Sequence, residues 1–151
     1  MNDRLSIRPA NREDLEVVLT MCALHAQYEK LPFKRNGQAK RLETGLFADQ
    51  PKLHCLLAEI EQQVVGYATF MKQYATWEAA EYLYLDCLFV QEEFRSQGIG
   101  KKLMNYIKNS AKDMGIHVIQ WQTPDFNVRA IKFYHSLGAI AKKKERFFLT
   151  T

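Results

Sequence analysis

An apolar, aromatic run, Glu81–Val90, leads through the short polar turn Gln91–Gln97 into Gly98-Ile99-Gly100-Lys101 and then into a helical pattern. A run so rich in Leu, Tyr and Phe predicts a strand buried on both faces, hence a central strand of a sheet. Beyond the glycines, Ile99, Leu103, Ile107 and Met114 recur on roughly one helical face, and Gly115 ends the pattern. The first N–H groups of a helix have no partner within it, and glycine lets an anion come close to them. The turn is therefore the physical recipe for a pyrophosphate site, with Arg95 and Lys101 adding charge. The same glycines would equally well shape a strand-to-helix corner without a ligand. A Walker A loop fits badly, because Arg95 stands where it needs glycine and Lys102 where it needs Ser or Thr. A dinucleotide fingerprint needs three glycines, and this turn has two.

The rest of the chain supplies a sheet and helices around that corner. Leu5 and Ile7 alternate in a first strand, and Asn11 is placed to cap a helix whose first turn holds Glu13 and Asp14. Leu15, Val18, Leu19, Cys22 and Ala26 follow at helical spacing until Leu31-Pro32-Phe33 breaks it. A second helix is expected over 39–47. Leu53–Ile60 and Val64–Met71, separated by Glu61-Gln62-Gln63, predict an antiparallel hairpin. His117–Gln122 predicts another strand, and Thr123-Pro124 a cap and first residue for a helix carrying Phe126, Ala130, Phe133, Tyr134 and Leu137. Ala139–Ala141 and Arg146–Leu149 are expected as short closing strands. The order β-α-α-β-β-β-α-β-α-β-β is α+β, with a mixed, mostly antiparallel central sheet and helices on both faces. Without repeats or linkers, residues 1–151 read as a single domain.

Composition narrows the setting. MNDRLSIRPA has no apolar leader segment, and no run approaches the roughly 20 residues a membrane helix needs, so neither secretion nor a membrane is expected. Cys22, Cys55 and Cys87 form no CxxC pair, which suits reduced core thiols, a cytoplasmic location and no metal site. The net charge of +4 suits a phosphate-rich ligand or simply a solvated surface. Lys142-Lys143-Lys144 lacks the interleaved aromatics of a single-strand platform, so no nucleic-acid partner is expected.

Two motifs carry a resemblance. Arg95-Ser96-Gln97-Gly98-Ile99-Gly100 is similar to the Q/R-x-x-G-x-G/A signature of the GNAT acetyltransferases. Asn127-Val128-Arg129-Ala130-Ile131-Lys132-Phe133-Tyr134, followed by Leu137-Gly138-Ala139, resembles the N-x-x-A-x-x-F-Y segment of the same superfamily, in the right order and spacing. Within it, Arg8-Pro9-Ala10 with Asp14, His54–Glu59, Val65–Ala68, Trp77 and Leu83–Val90 look most like the spermidine/spermine (diamine) group.

The resemblance implies direct transfer of acetyl from acetyl-CoA to a primary amine in a ternary complex, by a homodimer. It implies that Leu88, Phe89 and Val90 bind the pantetheine arm, with the Leu88 N–H polarising the thioester. Arg95, Ser96, Gln97, Gly98, Ile99, Gly100 and Lys101 would hold the pyrophosphate, and Asn127 and Lys132 the cofactor from the last helix. Tyr134 would be the general acid, with an ordinary core tyrosine as the alternative. Asp86 would be the base, with a structural ion pair as the alternative, since a carboxylate in a buried apolar strand is costly unless paired or functional. The diamine group has Glu followed by Asp at this point, whereas this chain has Asp86 followed by Cys87. Glu29, Trp77, Glu81, Tyr84 and Asp86 would line the acceptor pocket, where acidic and aromatic groups suit an ammonium. A polyamine, diamine or lysine-like acceptor is expected. The other readings are an aminoglycoside or other antibiotic, a protein N-terminus or lysine, and a non-catalytic acyl-CoA-binding module.

Overall fold

The structure, a computed structural model, describes residues 4–151, so the first three residues of the expected domain lie outside it. The strands are β1 (Leu5–Pro9), β2 (His54–Ile60), β3 (Gln63–Ala75), β4 (Ala80–Val90) and β5 (Ile119–Trp121). The helices are α1 (Leu15–Tyr28), α2 (Gln38–Phe47), α3 (Ile99–Asp113) and α4 (Val128–Ser136). The sheet order is β1-β2-β3-β4-β5, antiparallel except for the parallel pair β4–β5.

Two apolar layers follow from strand alternation. On one face Leu57, Tyr67 and Phe89 pack with Val18 and Met21 of α1 and Leu46 of α2. On the other, Leu56, Ala68, Leu83 and Leu85 pack with Ile99, Leu103, Met104 and Ile107 of α3. Those α3 positions recur every three to four residues, while Lys101, Lys102, Lys108 and Lys112 occupy its exposed side. Gly98, at φ +79°, is the left-handed residue that starts α3.

A bulge in β4 decides where the site lies. Thr69 pairs with Cys87 and the next residue, Phe70, pairs with Leu85, which leaves Asp86 without an opposite residue. The extra residue reverses the alternation: Leu83 and Leu85 face the α3 layer, but so do Leu88 and Val90, while Cys87 and Phe89 face α1. β4 then outruns its other neighbour, because β5 pairs with it only at Leu83–Leu85.

Several expectations change in detail. The hairpin turn is the two residues Glu61-Gln62, both at positive φ, and Gln63 already belongs to β3. β3 extends to Ala75, because a long partner in β4 pairs with it throughout. The strand expected over His117–Gln122 shrinks to three residues. The proposed cap Thr123 does not start α4. A turn closed by Asn127 N–H to Pro124 O, 3.0 Å, comes first, and Asn127 holds the cap position. The two closing strands are absent among the described residues: 139–151 forms no regular element, and Ile140, Phe147, Phe148 and Leu149 are exposed. The charged run Lys142–Arg146 between them offers no apolar face to lay on a sheet.

Candidate active site

Where β4 and β5 part, a cavity of about 870 Å³ opens between the end of α1, the start of α3 and α4. That is within the size range of small-molecule and cofactor sites. One wall is the stretch of β4 beyond Leu85, which has β3 on one side and no strand on the other, so backbone groups along that edge are available to a ligand. Leu88, Phe89 and Val90 lie on it and line the cavity.

The corner after β4 forms a second wall, from Arg95, Ser96, Gly98, Ile99, Gly100 and Lys101. Ser96 and Gly98 both have positive φ, which turns the chain into the start of α3 beside the opening, the kind of helix terminus that suits an anion. The two glycines have different reasons. A Cβ on Gly98 would meet nothing, but its backbone angle is unfavourable for other residues. A Cβ on Gly100 would lie 3.2 Å from the Phe133 ring, so Gly100 is what lets α4 approach α3. Arg95 does not reach outward. Its Nε donates to Val90 O at 2.8 Å, and its guanidinium lies 4.3 Å from the Tyr28 ring centre and 5.4 Å from that of Phe89. Arg129 donates to the Ser96 hydroxyl at 2.9 Å and, with Lys101, supplies charge at this end.

α4 closes the third side. Asn127 accepts from the Tyr28 hydroxyl at 2.7 Å and donates to Thr123 Oγ1 at 3.2 Å, tying α1 to α4. Tyr134 stands edge-on to Trp121, ring centres 5.2 Å apart. Burial first, then the neighbouring Glu29 and Tyr28, push its hydroxyl up to about 12, so it keeps its proton at neutral pH.

Acidic groups enter from two elements. Glu29 follows the last turn of α1, and burial raises its pKa above the usual carboxylate value. Asp86 also lines the cavity, but the buried setting expected for it is not found. The bulge puts it outside the alternation of both faces, and it is exposed. Tyr84 joins them, its hydroxyl accepting from Gln122 at 3.0 Å.

Four expected residues do not line the cavity. Trp77 is 97% exposed in the β3–β4 turn, and Glu81 sits on exposed β4 beside Lys72, with 3.3 Å between Nζ and the carboxylate. The long hairpin carries both past the end of the cleft. Gln97 and Lys132 are exposed on the corner and on α4. Sequence reading in turn passed over His25, Tyr28, Arg129 and Trp121, which do line it. His25 carried a signal: it stands three residues after Cys22 and four before Glu29, on the inward face of α1.

The cleft lies beside a bulged central strand, with the glycine corner of one motif and Tyr134 of the other on its walls. The acetyltransferase (GNAT) family model matches residues 18–139. This chain belongs to the GNAT acetyltransferase family. It is 35% identical to the thialysine N-epsilon-acetyltransferase of Bos taurus over 141 residues, covering 88% of this chain and 82% of that protein. Among solved structures, an aminoglycoside acetyltransferase from an uncultured soil metagenomic sample superposes with a TM-score of 0.83 at 21% identity, covering 99% of this chain and 97% of the other. Aminoglycoside N-acetyltransferase AAC(6')-Iy, in complex with CoA, gives 0.80 at 19% identity, covering 97% and 94%. These two likenesses show the fold. GNAT enzymes use acetyl-CoA, and the residues present fit it: an open strand edge for an extended amide arm, and a cationic corner at a helix start for phosphates.

Proposed function

We propose that this GNAT enzyme acetylates the primary amine of a small diamine, polyamine or lysine-like acceptor. The observation that carries the reading is that Glu29 and Asp86 share one cavity with Tyr134 and the open edge of β4. A carboxylate pair at the acceptor end attracts an ammonium, and the tyrosine holds a proton beside it. The 35% identity to a thialysine N-epsilon-acetyltransferase supports the same class of acceptor.

Acetyl-CoA, when bound, supplies an acyl carbon that an amine attacks while the carbon–sulfur bond breaks. The chain's own residues have the remaining tasks. Asp86, directly or through a water, takes a proton from the ammonium so that the nitrogen has a free electron pair. The Leu88 N–H polarises the thioester carbonyl. Tyr134 gives its proton to the departing sulfur and regains one from the nitrogen, directly or through a water, as the amide forms. The backbone of Ser96 and of residues 98–101, with the Lys101 side chain, holds the diphosphate, and Asn127 adds a polar contact from α4. Arg95 shapes the wall from within.

The three free thiols suit the reducing cytoplasm. A homodimer fits the apolar tail: Ile140, Phe147, Phe148 and Leu149 are four large side chains left exposed on one short segment, which a second copy would cover.

The test is an acetyl-CoA-dependent thiol-release screen over thialysine, lysine, diamines, polyamines, aminoglycosides and short peptides. The highest kcat/KM is expected on thialysine or a diamine. Turnover confined to aminoglycosides or peptides would replace the acceptor, and no turnover with any amine would leave an acyl-CoA-binding module.

A further inference from the structure

His25 sits at a junction that the transfer chemistry does not use. Its Nε2 lies 2.8 Å from Glu29 Oε2 and its Nδ1 lies 2.9 Å from the Tyr67 hydroxyl. Its ring stacks on Phe89, with centres 5.2 Å apart. The three groups run in a line from the core to the cavity: Tyr67 is 1% exposed, while His25 and Glu29 both line the opening.

The donor roles follow from the cavity end inward. An ionised carboxylate only accepts, so Nε2 carries the hydrogen and Nδ1 is left as an acceptor. The Tyr67 hydroxyl must then donate to Nδ1. Burial raises its pKa far above that of a free tyrosine, so it always has a proton to give. The imidazole is neutral in this arrangement, and burial together with the Arg95 guanidinium holds its pKa down to about 4.

Neutrality matters to the acceptor. A lysine or arginine at this position would also hold the Glu29 carboxylate, but it would cancel the charge and repel an ammonium. A neutral imidazole fixes the carboxylate's direction and leaves its charge for the substrate. A glutamate at the end of a helix otherwise has several rotamers to choose from, and fixing it in advance lowers the entropy lost on binding.

The geometry points to His25 as a positioning residue for amine recognition: with Tyr67 behind it, it aims the Glu29 carboxylate at the acceptor's ammonium group. This rests on the acceptor reading of Glu29 given above.

Steady-state thiol release by the full-length enzyme, with thialysine and with 1,3-diaminopropane, tests it. Glu29→Gln is expected to raise the amine KM about tenfold or more. His25→Leu, which keeps an apolar group against Phe89, should raise it by about as much, with acetyl-CoA KM unchanged. His25→Gln, which restores a donor, should return to within about threefold of the native value, and Tyr67→Phe should fall between. In the Glu29→Gln background, His25→Leu should add nothing, since there is no charge left to aim. If Glu29→Gln leaves amine KM unaltered, or neither amine is turned over, the acceptor reading fails and takes this inference with it. The inference alone is overturned if Glu29→Gln acts as expected but Tyr67→Phe and His25→Leu stay within about twofold of native. It is also overturned if His25→Leu raises KM equally with and without Glu29. Should His25→Leu not fold, Tyr67→Phe and His25→Gln carry the same comparison.

Discussion

The two ends of the cavity are built on different principles. The corner end is contiguous in sequence, made of backbone between Arg95 and Lys101, and dressed with cations. The acid end is assembled from side chains that lie far apart in the chain: Glu29 after α1, Tyr84 and Asp86 on β4, Trp121 on β5 and Tyr134 on α4. A backbone cradle recognises what every reaction of the family shares, and it tolerates changes in side chain except where glycine is needed. A site of separate side chains recognises what differs between acceptors, and one substitution can redirect it. Lys101 and Arg129 stand by the corner, Glu29 at the end of α1 and Asp86 on β4, while Asp125 and, from the tail, Lys144 and Arg146 also line the cavity.

Tyr134 is the proposed proton donor of the transfer itself, so its loss should have the largest effect. Tyr134→Phe is expected to lower kcat about 10²–10⁴-fold with little change in either KM, because only a proton donor is removed. If Tyr134 is the proton donor, its acid form is the working one. With the hydroxyl pushed up to about 12, that form persists well beyond the usual tyrosine pKa near 10, so native kcat should show no alkaline fall around pH 10. A kcat within about twofold of native would return Tyr134 to a packing role against Trp121.

This division also sets what the chain discloses before it is folded. The corner was legible because its information is local: a strand, a turn, two glycines and a helix stripe follow one another. The core of the fold was legible for the same reason, with 53–60 and 81–90 appearing as apolar runs. The bulge at Asp86 was not, since it is a mismatch between two strands and leaves no mark on either alone. That is why Asp86 was expected inside the sheet and stands exposed at its edge. Trp77 and Glu81 were expected at the acceptor because aromatic and acidic residues suit an ammonium, but the length of the β3–β4 hairpin, which carries them beyond it, depends on pairing. The tail was misread because the apolar stretches at Ala139–Ala141 and Arg146–Leu149 suggest strands, while a strand also needs an edge to pair with.

Asp86 gives the next largest expected change and tests the acid end directly. Asp86→Asn keeps shape and removes basicity. Because the side chain is exposed and packs against little, the variant should fold and bind acetyl-CoA normally. Its kcat/KM at neutral pH should fall on the order of 10²-fold and recover in part at high pH, where more amine is already free. A native pH–rate profile in the variant would mean that the enzyme selects the neutral amine from solution. The acid end would then only bind, and the contrast between the two ends would be one of recognition alone.

The corner end has the smallest expected effects, and a pair of glycine variants separates its two components. Gly98→Asp places a carboxylate at the start of α3, at a φ of +79° that aspartate tolerates better than most residues. Its Cβ would meet nothing nearby, so the fold should hold while calorimetric affinity for CoA falls about tenfold through repulsion of the phosphates. Gly100→Ala differs in kind. Its methyl would press on Phe133 at 3.2 Å, so α4 must give by a few tenths of an ångström. That should lower thermal stability slightly, on the order of 1 kcal/mol, and change CoA affinity by less than about threefold. The opposite ranking, with Gly100→Ala weakening CoA more than Gly98→Asp, would break the comparison. The corner would then bind through the close approach of α3 and α4 rather than through its backbone, and it would be a site of assembled parts like the acid end.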